Sequence, residues 1–401
     1  MLNSDAATES RARAKDMTQV SRRLSGLVQS DIRAMTRACE AVDGINLGQG
    51  ICDLPTPPLV RDGAIQAILD GKSTYSYSEG IPELRSAIAR KLARDNGIEA
   101  DPTSEIVVTT GSAAAFTGVL HALLDPGDGI LLLEPYYGYH LNAALLAGLE
   151  PSYLTLEAPD FHLHADALAR AITPRTKAIV LCTPSNPSGR MFSREEIEGL
   201  GRVAAEHDLL VITDEIYEYI RYDDREHISP ATVGDLARRT VTIMGLSKTF
   251  SITGWRLGYC VAKPDWARAI SLVHDLFYIC APTPLQHGVA AGFEAPESFF
   301  TDMRRDYDAK RTLLCDTLSD TGLTPIVPQG SYYVLARCEP LGQNNSKDAA
   351  MALLEATRVA AVPGSAFYSG AQGEGLLRFC YAKEMAALEE ACRRLRTGLG
   401  A

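Results

Sequence analysis

Lys248 stands in Gly245-Leu246-Ser247-Lys248-Thr249-Phe250, directly after the apolar run Val241–Met244. An amine set among apolar neighbours has a lowered pKa and can act as a nucleophile. Asp214 follows a second apolar run, Leu209–Thr213, with Glu215 and Tyr217 close behind. A carboxylate in that setting is expensive unless something pairs with it. Two readings therefore stand for the pair: a structural Lys248–Asp214 ion pair, or two groups that serve one ligand. Asn186 lies between two prolines in Thr183-Pro184-Ser185-Asn186-Pro187-Ser188-Gly189, after the run Ala178–Cys182. The prolines fix the backbone that aims its amide, although the segment also reads as a plain turn. Glu134-Pro135-Tyr136-Tyr137-Gly138-Tyr139 follows Ile130–Leu133, and its tyrosines either stack on a flat ring or pack a wall. Thr110-Gly111-Ser112-Ala113 follows Ile106–Thr109 and opens a helical pattern. Free N–H groups and the helix dipole suit such a turn to a phosphate, and the same turn serves equally as an N-cap.

Five strand-like runs, apolar on both faces, must bring these segments together. Helical patterns lie between several of them, at Ala113–Leu124, His140–Ala147 and Arg194–His207. That alternation predicts an α/β fold, a mostly parallel sheet covered by helices. Ligands bind such sheets beyond the carboxyl ends of the strands, where all five segments sit. After about residue 295 the texture changes to a long helix pattern (Glu297–Leu318), strand-like Tyr332–Leu335 and Leu376–Cys380, and a closing helix from Glu384 to Leu399. The expected organisation is a flexible arm over 1–16, an N-terminal segment of a small domain over 17–45, a large domain over 46–295 and a small α+β domain over 296–401. A helical pattern covers Val20–Val42.

At 401 residues the chain allows two or three domains. Fifty acidic against 39 basic residues give a net charge of −11. With no basic face evident, a general nucleic-acid or anionic-membrane binder is excluded. No stretch is long and apolar enough to span a bilayer, and the polar N-terminus lacks a signal-peptide core, so a cytoplasmic location is expected. The nine cysteines are odd in number and form no C-x-x-C pair, which suits reduced, buried thiols. His162 and His164 are the one close histidine pair and no third ligand follows them, so no metal is expected.

The segment Ser247-Lys248-Thr249-Phe250-Ser251-Ile252-Thr253-Gly254-Trp255-Arg256-Leu257-Gly258 resembles the lysine motif of the class I/II aminotransferases, the pyridoxal phosphate enzymes of fold type I. Asn186-Pro187-Ser188-Gly189 and Asp214-Glu215-Ile216-Tyr217 are similar to family blocks in type and order. So are Asn46-Leu47-Gly48-Gln49-Gly50 and the block from Tyr75 to Arg85. The resemblance runs from about Asn46 to Ala382. It implies that Lys248 holds the cofactor aldehyde as a Schiff base and then shuttles a proton at the substrate Cα. Asp214 would face the pyridine nitrogen, Asn186 and Tyr217 the phenolic oxygen, and Tyr137 the ring face. Ser112, Ala113, Ser247 and Arg256 would hold the phosphate, with Tyr75 reaching the phosphate of the neighbouring subunit in a homodimer. Arg378, Asn186 and Gly48 would take the substrate carboxylate.

The implied reaction is ping-pong transfer of an amino group between an L-amino acid and a 2-oxo acid. The alternative is another pyridoxal phosphate reaction on the same scaffold, β- or γ-elimination or replacement. A regulator that reuses the scaffold would carry a DNA-binding module ahead of the first block. The residues there lack a basic recognition pattern, so an enzyme is expected. Three positions depart from the family pattern: Gly245 where Ser is frequent, Cys52 where Pro is frequent, and uncharged Ala113-Ala114-Ala115 where acidic-substrate members often carry a cation. Tyr75, Tyr77, Tyr136, Tyr139, Tyr332 and Tyr333 are expected along the cleft, which disfavours highly charged substrates.

Overall fold

The computed structural model describes residues 31–400 together with Ser21, Leu24 and Leu27. The expected arm over 1–16 lies outside the described residues. Of the helical pattern Val20–Val42, the described part is α1 (Asp31–Ala41), which buries Met35 and Cys39. Strand β1 (Ile45–Asn46) follows. Helices α2 (Pro58–Leu69) and α3 (Pro82–Lys91) each start on a proline, whose fixed φ and missing N–H suit a first helical turn.

The expected alternation then appears. Strand β2 (Ile106–Thr109) leads into α4 (Ser112–Leu123), β3 (Gly129–Glu134) into α5 (Gly138–Leu146), and β4 (Glu150–Thr155) into α6 (Ala165–Ala171). Strand β5 (Thr176–Cys182) precedes α7 (Arg194–Glu206), which opens with a Ser193/Glu196 capping box. Strands β6 (Leu210–Asp214) and β7 (Thr240–Gly245) follow, and β7 runs into the single turn α8 (Leu246–Thr249). Strand β8 (Gly258–Val261) completes the sheet before α9 (Pro264–Tyr278) and α10 (Thr283–Gly292).

These strands form one seven-stranded sheet in the order β2-β8-β7-β6-β5-β3-β4. Every neighbouring pair is parallel except those of β8, which runs antiparallel to both β2 and β7. Strands β2, β3, β6 and β7 are buried along their whole length, which explains their unbroken apolar runs.

Beyond α11 (Glu297–Asp320) the chain builds a second sheet from β9 (Thr324–Ile326) and β10 (Tyr333–Arg337). Helix α12 (Ser346–Thr357) leads to β11 (Val359–Ala360), β12 (Val362–Pro363) and β13 (Leu376–Cys380), and α13 (Met385–Leu399) closes the chain. The sheet order is β12-β13-β10-β9, all antiparallel, while β1 pairs with β11 in parallel. Met35 and Cys39 of α1 join the same buried cluster as β10, β13 and α13. The N-terminal helix therefore packs with elements from the C-terminal part of the chain.

Candidate active site

A cavity of about 750 Å³ opens at the carboxyl ends of the central strands. Ser112, Ala113, Tyr137, Asn186 and Asp214 line it from the loops after β2, β3, β5 and β6. Tyr217, Ser247, Lys248, Arg256 and Arg378 complete the wall. Gly48 stands behind Arg378, and Tyr75 is 78% exposed and lies outside this cavity.

At one end the backbone is shaped for an anion. Ser112 and Ala113 are the first two residues of α4, so their N–H groups have no acceptor within the helix. Gly111 before them has φ +80°, and a Cβ there would fall 2.5 Å from the Arg256 guanidinium. A Cβ at Gly258 would fall 2.5 Å from the Ser112 nitrogen. Both positions require glycine because backbone and guanidinium approach so closely. Arg256 is itself at φ +57°, and its Nη1 donates to the Thr253 carbonyl at 3.0 Å. The turn is steadied from behind, where the Thr110 N–H donates to His274 Nε2 at 3.1 Å. Burial lowers the His274 pKa and so favours the neutral ring, which can accept that bond.

At the other end lies the carboxylate of Asp214, the last residue of β6. His140 Nε2 donates to its Oδ2 at 3.0 Å, and both side chains are buried. The imidazole lies edge-on to Tyr137 with ring centres 5.3 Å apart, and Tyr137 stacks on Tyr139 at 5.2 Å. The Tyr217 hydroxyl approaches that of Tyr333 at 3.5 Å, and burial raises both phenols, keeping them neutral donors.

The Lys248–Asp214 ion pair, one of the two sequence readings, is not formed. Asp214 meets His140 instead, while Lys248 Nζ donates to the Gly50 carbonyl at 3.0 Å and lies 5.3 Å from the centre of the Tyr332 ring. The Tyr332 hydroxyl donates to the same Gly50 oxygen at 3.1 Å. Burial, assisted by the Arg256 charge, pushes the Lys248 amine down to about 8, against weaker raising influences from Cys380, Cys52 and Asp214.

Arg378, on β13, is 1% exposed. Its Nη1 donates to Asn186 Oδ1 at 2.8 Å and its Nη2 to the Gly48 carbonyl at 2.6 Å. The guanidinium lies over the Tyr333 and Phe367 rings at 4.2 and 4.8 Å. No carboxylate pairs with it among the described residues. A buried guanidinium bonded only to neutral acceptors is prepared for an arriving anion.

The tyrosine expectations divide. Tyr139 and Tyr333 line the cavity and Tyr332 borders Lys248. Tyr136 turns instead into the core against β3, because its neighbour Tyr137 takes the cavity side. Tyr75 and Tyr77 face outward, 78% and 70% exposed. Sequence reasoning missed His140, His274 and the Gly50 carbonyl. Only His140 left a usable signal, since it lies three residues beyond Tyr137 and hence on the same side of the first turn of α5.

A family description, aminotransferase class I and II, matches residues 42–395. The chain is 38% identical to an aspartate aminotransferase of Pyrococcus abyssi over 381 residues, 94% of this chain and 97% of that one. It is 35% identical to aromatic-amino-acid aminotransferase 2 of Thermococcus litoralis, with the same coverage. Among solved structures it superposes on N-succinyldiaminopimelate aminotransferase from Mycobacterium tuberculosis with a TM-score of 0.91 at 32% identity, over 94% of this chain and 99% of that one. Each of these is named for amino-group transfer, the first of the two reactions expected from the sequence.

Proposed function

The chain belongs to the class I and II aminotransferases, enzymes that use pyridoxal phosphate, and from that premise we propose how its own residues share the reaction. The residues present suit this cofactor. They include an anion turn that a Cβ would fill, a carboxylate backed by an imidazole, and an amine held near 8. When bound, the cofactor ring supplies a sink for the electrons released at the substrate Cα.

Ser112 and Ala113 N–H groups, the Ser247 hydroxyl and the Arg256 guanidinium hold the phosphate. Asp214 would face the pyridine nitrogen and hold a proton there, and the His140 N–H fixes the orientation of its carboxylate. Asn186 and Tyr217 would donate to the phenolic oxygen, and Tyr137 would pack on the ring. Arg378 binds the substrate α-carboxylate as a fork, with the Gly48 carbonyl and Asn186 fixing its plane. Lys248, whose lowered pKa of about 8 leaves a reactive fraction of free amine near neutral pH, would tether the cofactor aldehyde and would hold the proton removed from the substrate Cα.

The observation that carries this reading is Arg378. It is a fully buried cation with neutral partners, facing the cavity that also holds Lys248 and Asp214. The test is spectroscopic. Holoenzyme given single amino donors without an oxo acid should convert from the aldehyde to the amine form of the cofactor. Borohydride reduction before donor addition should leave the pyridoxyl mass on the peptide containing Lys248. A label on another peptide, or no conversion with any donor, would refute the assignment.

The site is completed, in this reading, by a second copy of the chain. Leu59, Ile65, Ile68 and Leu69 of α2 and Leu272, Leu276 and Phe277 of α9 are all at least 44% exposed. The Tyr75 segment lies against α9 and α10, with Thr283 of α10 donating to the Thr74 carbonyl at 2.7 Å and the Ser78 and Ser271 hydroxyls 3.0 Å apart. An apolar surface of this extent favours self-association, and Tyr75 projects from its rim toward a partner. The boundaries 46–295 and 296–401 remain our division of the chain, matching its two main sheets. Nine unbridged cysteines suit the cytoplasmic location we assign. No helix among the described residues is long and apolar enough to cross a membrane.

A further inference from the structure

A second cavity, of about 820 Å³, shares no lining residue with the active site. Its floor is Ser188, Gly189 and Arg190, the backbone that continues from Asn186. One wall is the loop after β4 that carries His162 and His164. The other is built from β9 and the segment after it, with Gln329 and with Arg337 from the end of β10. The cavity therefore lies on the seam between the two main sheets.

The seam beneath it is bridged by hydrogen bonds. The Gly189 carbonyl accepts the N–H groups of Gln329 and Gly330 at 3.0 and 2.9 Å. Gly189 has φ +67°, and a Cβ there would fall 2.3 Å from Pro328. The Gln329 side-chain oxygen accepts from Arg190 Nη1 and from the Met191 N–H, each at 3.0 Å. Arg190 Nη2 donates to Glu196 at 2.8 Å, and its Nε is buried without a partner.

The wall carries basic side chains from both sides of the seam. Arg190 and Arg337 contribute guanidiniums from opposite sides of the seam, and His162 and His164 contribute imidazoles whose centres are 4.3 Å apart. Asp160 is the one carboxylate among the lining residues. Glu196 lies below, buried, with its oxygens taken by the Leu163 and Ser193 N–H groups, Arg190 and His162. Arg337 has only a loose carboxylate neighbour, Glu339 at 3.7 Å, and is 45% exposed.

We propose that this cavity is a second ligand site, which takes a small polyanion bearing carboxylate or phosphate groups between Arg190 and Arg337. Arg337 and the histidines supply its outer contacts. An anion there ties the loop of Asn186 to the second sheet, on the far side of the bond that Asn186 receives from Arg378. It acts on turnover without entering the active site. The proposal rests on cavity and charge alone and stands apart from the assignment of the catalytic residues.

The test uses holoenzyme, whose phosphate subsite is filled, titrated calorimetrically with citrate in one arm and inorganic pyrophosphate in the other. Binding in either arm that weakens about tenfold or more in both Arg337→Glu and His164→Ala supports the site, and the responding arm assigns carboxylate or phosphate. Both residues are at the surface, and turnover without added anion should remain within about twofold of the parent. Inhibition or activation by the bound anion should not be competitive with the amino donor. The proposal is overturned if neither probe binds more tightly than about 10 mM, if both variants bind as the parent does, or if Arg378→Ala is the change that abolishes binding.

Discussion

His140 Nε2 meets Asp214 Oδ2 at 3.0 Å, with the two side chains 6% and 11% exposed. The pair explains how a carboxylate at the end of a buried strand remains usable. Its oxygen is met by a fixed N–H rather than by Lys248, whose amine bonds the Gly50 carbonyl.

Replacing His140 by Phe should therefore weaken catalysis without removing the cofactor. Leaving one partner of a buried charged hydrogen bond unmet costs about 1–3 kcal/mol, on the order of 10–100-fold in kcat. The pH dependence of the cofactor absorbance should shift as well, because Asp214 would hold the ring proton less firmly. A kcat within twofold of the parent and an unmoved absorbance profile would rule out this positioning role.

The Lys248 amine lies near 8 rather than at its ordinary 10.5. The unprotonated amine is the nucleophile, so its fraction rises as pH passes upward through 8. Capture of pyridoxal phosphate by the apo chain should accelerate with pH and level off above about 8. Stopped-flow measurement of the imine band over pH would show this. A midpoint near the ordinary lysine value would contradict burial as the controlling influence.

Arg378→Ala should raise KM and reduce kcat/KM by about 2–5 kcal/mol for any carboxylate substrate. Arg378→Lys should recover only part of the loss, since an ammonium cannot bond Asn186, Gly48 and a carboxylate in one plane. Equal kinetics for Arg378→Ala and the parent would place the carboxylate elsewhere.

Gly245 has a packing cause. A Cβ there would lie 2.2 Å from the Ile216 side chain. Gly245→Ser, the residue frequent in the family, should destabilise the chain by about 1–3 kcal/mol through overpacking. The double change with Ile216→Ala should recover much of that. Thermal unfolding of the two variants decides it, and an undiminished Tm for Gly245→Ser alone would show that Ile216 yields freely.

Tyr75 is 78% exposed, in a segment held against α9 and α10. If it serves the partner's phosphate, mixing Tyr75→Phe subunits with Lys248→Ala subunits should assemble dimers with one fully competent site. Activity per competent site should then exceed that of Tyr75→Phe alone. Sedimentation as a monomer, or no gain on mixing, would remove the partner from the site.

Most of the residues that line the cavity were legible because they sit at or just past the ends of strands whose burial forces continuous apolar runs. Lys248, Asn186 and Ser112 stand in the short segments directly after β7, β5 and β2, and Asp214 is the last residue of β6, where an apolar run gives way to polar residues. Strands β4 and β8 did not announce themselves. Strand β4 lies at an edge with half its surface open, so Glu150-Pro151-Ser152-Tyr153 lacks an apolar signature. Strand β8 is four residues long and begins with glycine. The helices α2 and α9 were obscured because their outer faces are apolar, which blurs the helical period.

The sequence by itself determined the reactive groups and their order along the strands, since residue type and local periodicity are properties of neighbouring positions. Only the tertiary structure decided which groups meet. It gave Asp214 to His140 rather than to Lys248, hung Lys248 on the Gly50 carbonyl almost two hundred positions away, and set Arg378 against Asn186 and Gly48. Those pairings depend on how two sheets and the N-terminal helix pack together, and no spacing along the chain encodes a distance between elements so far apart.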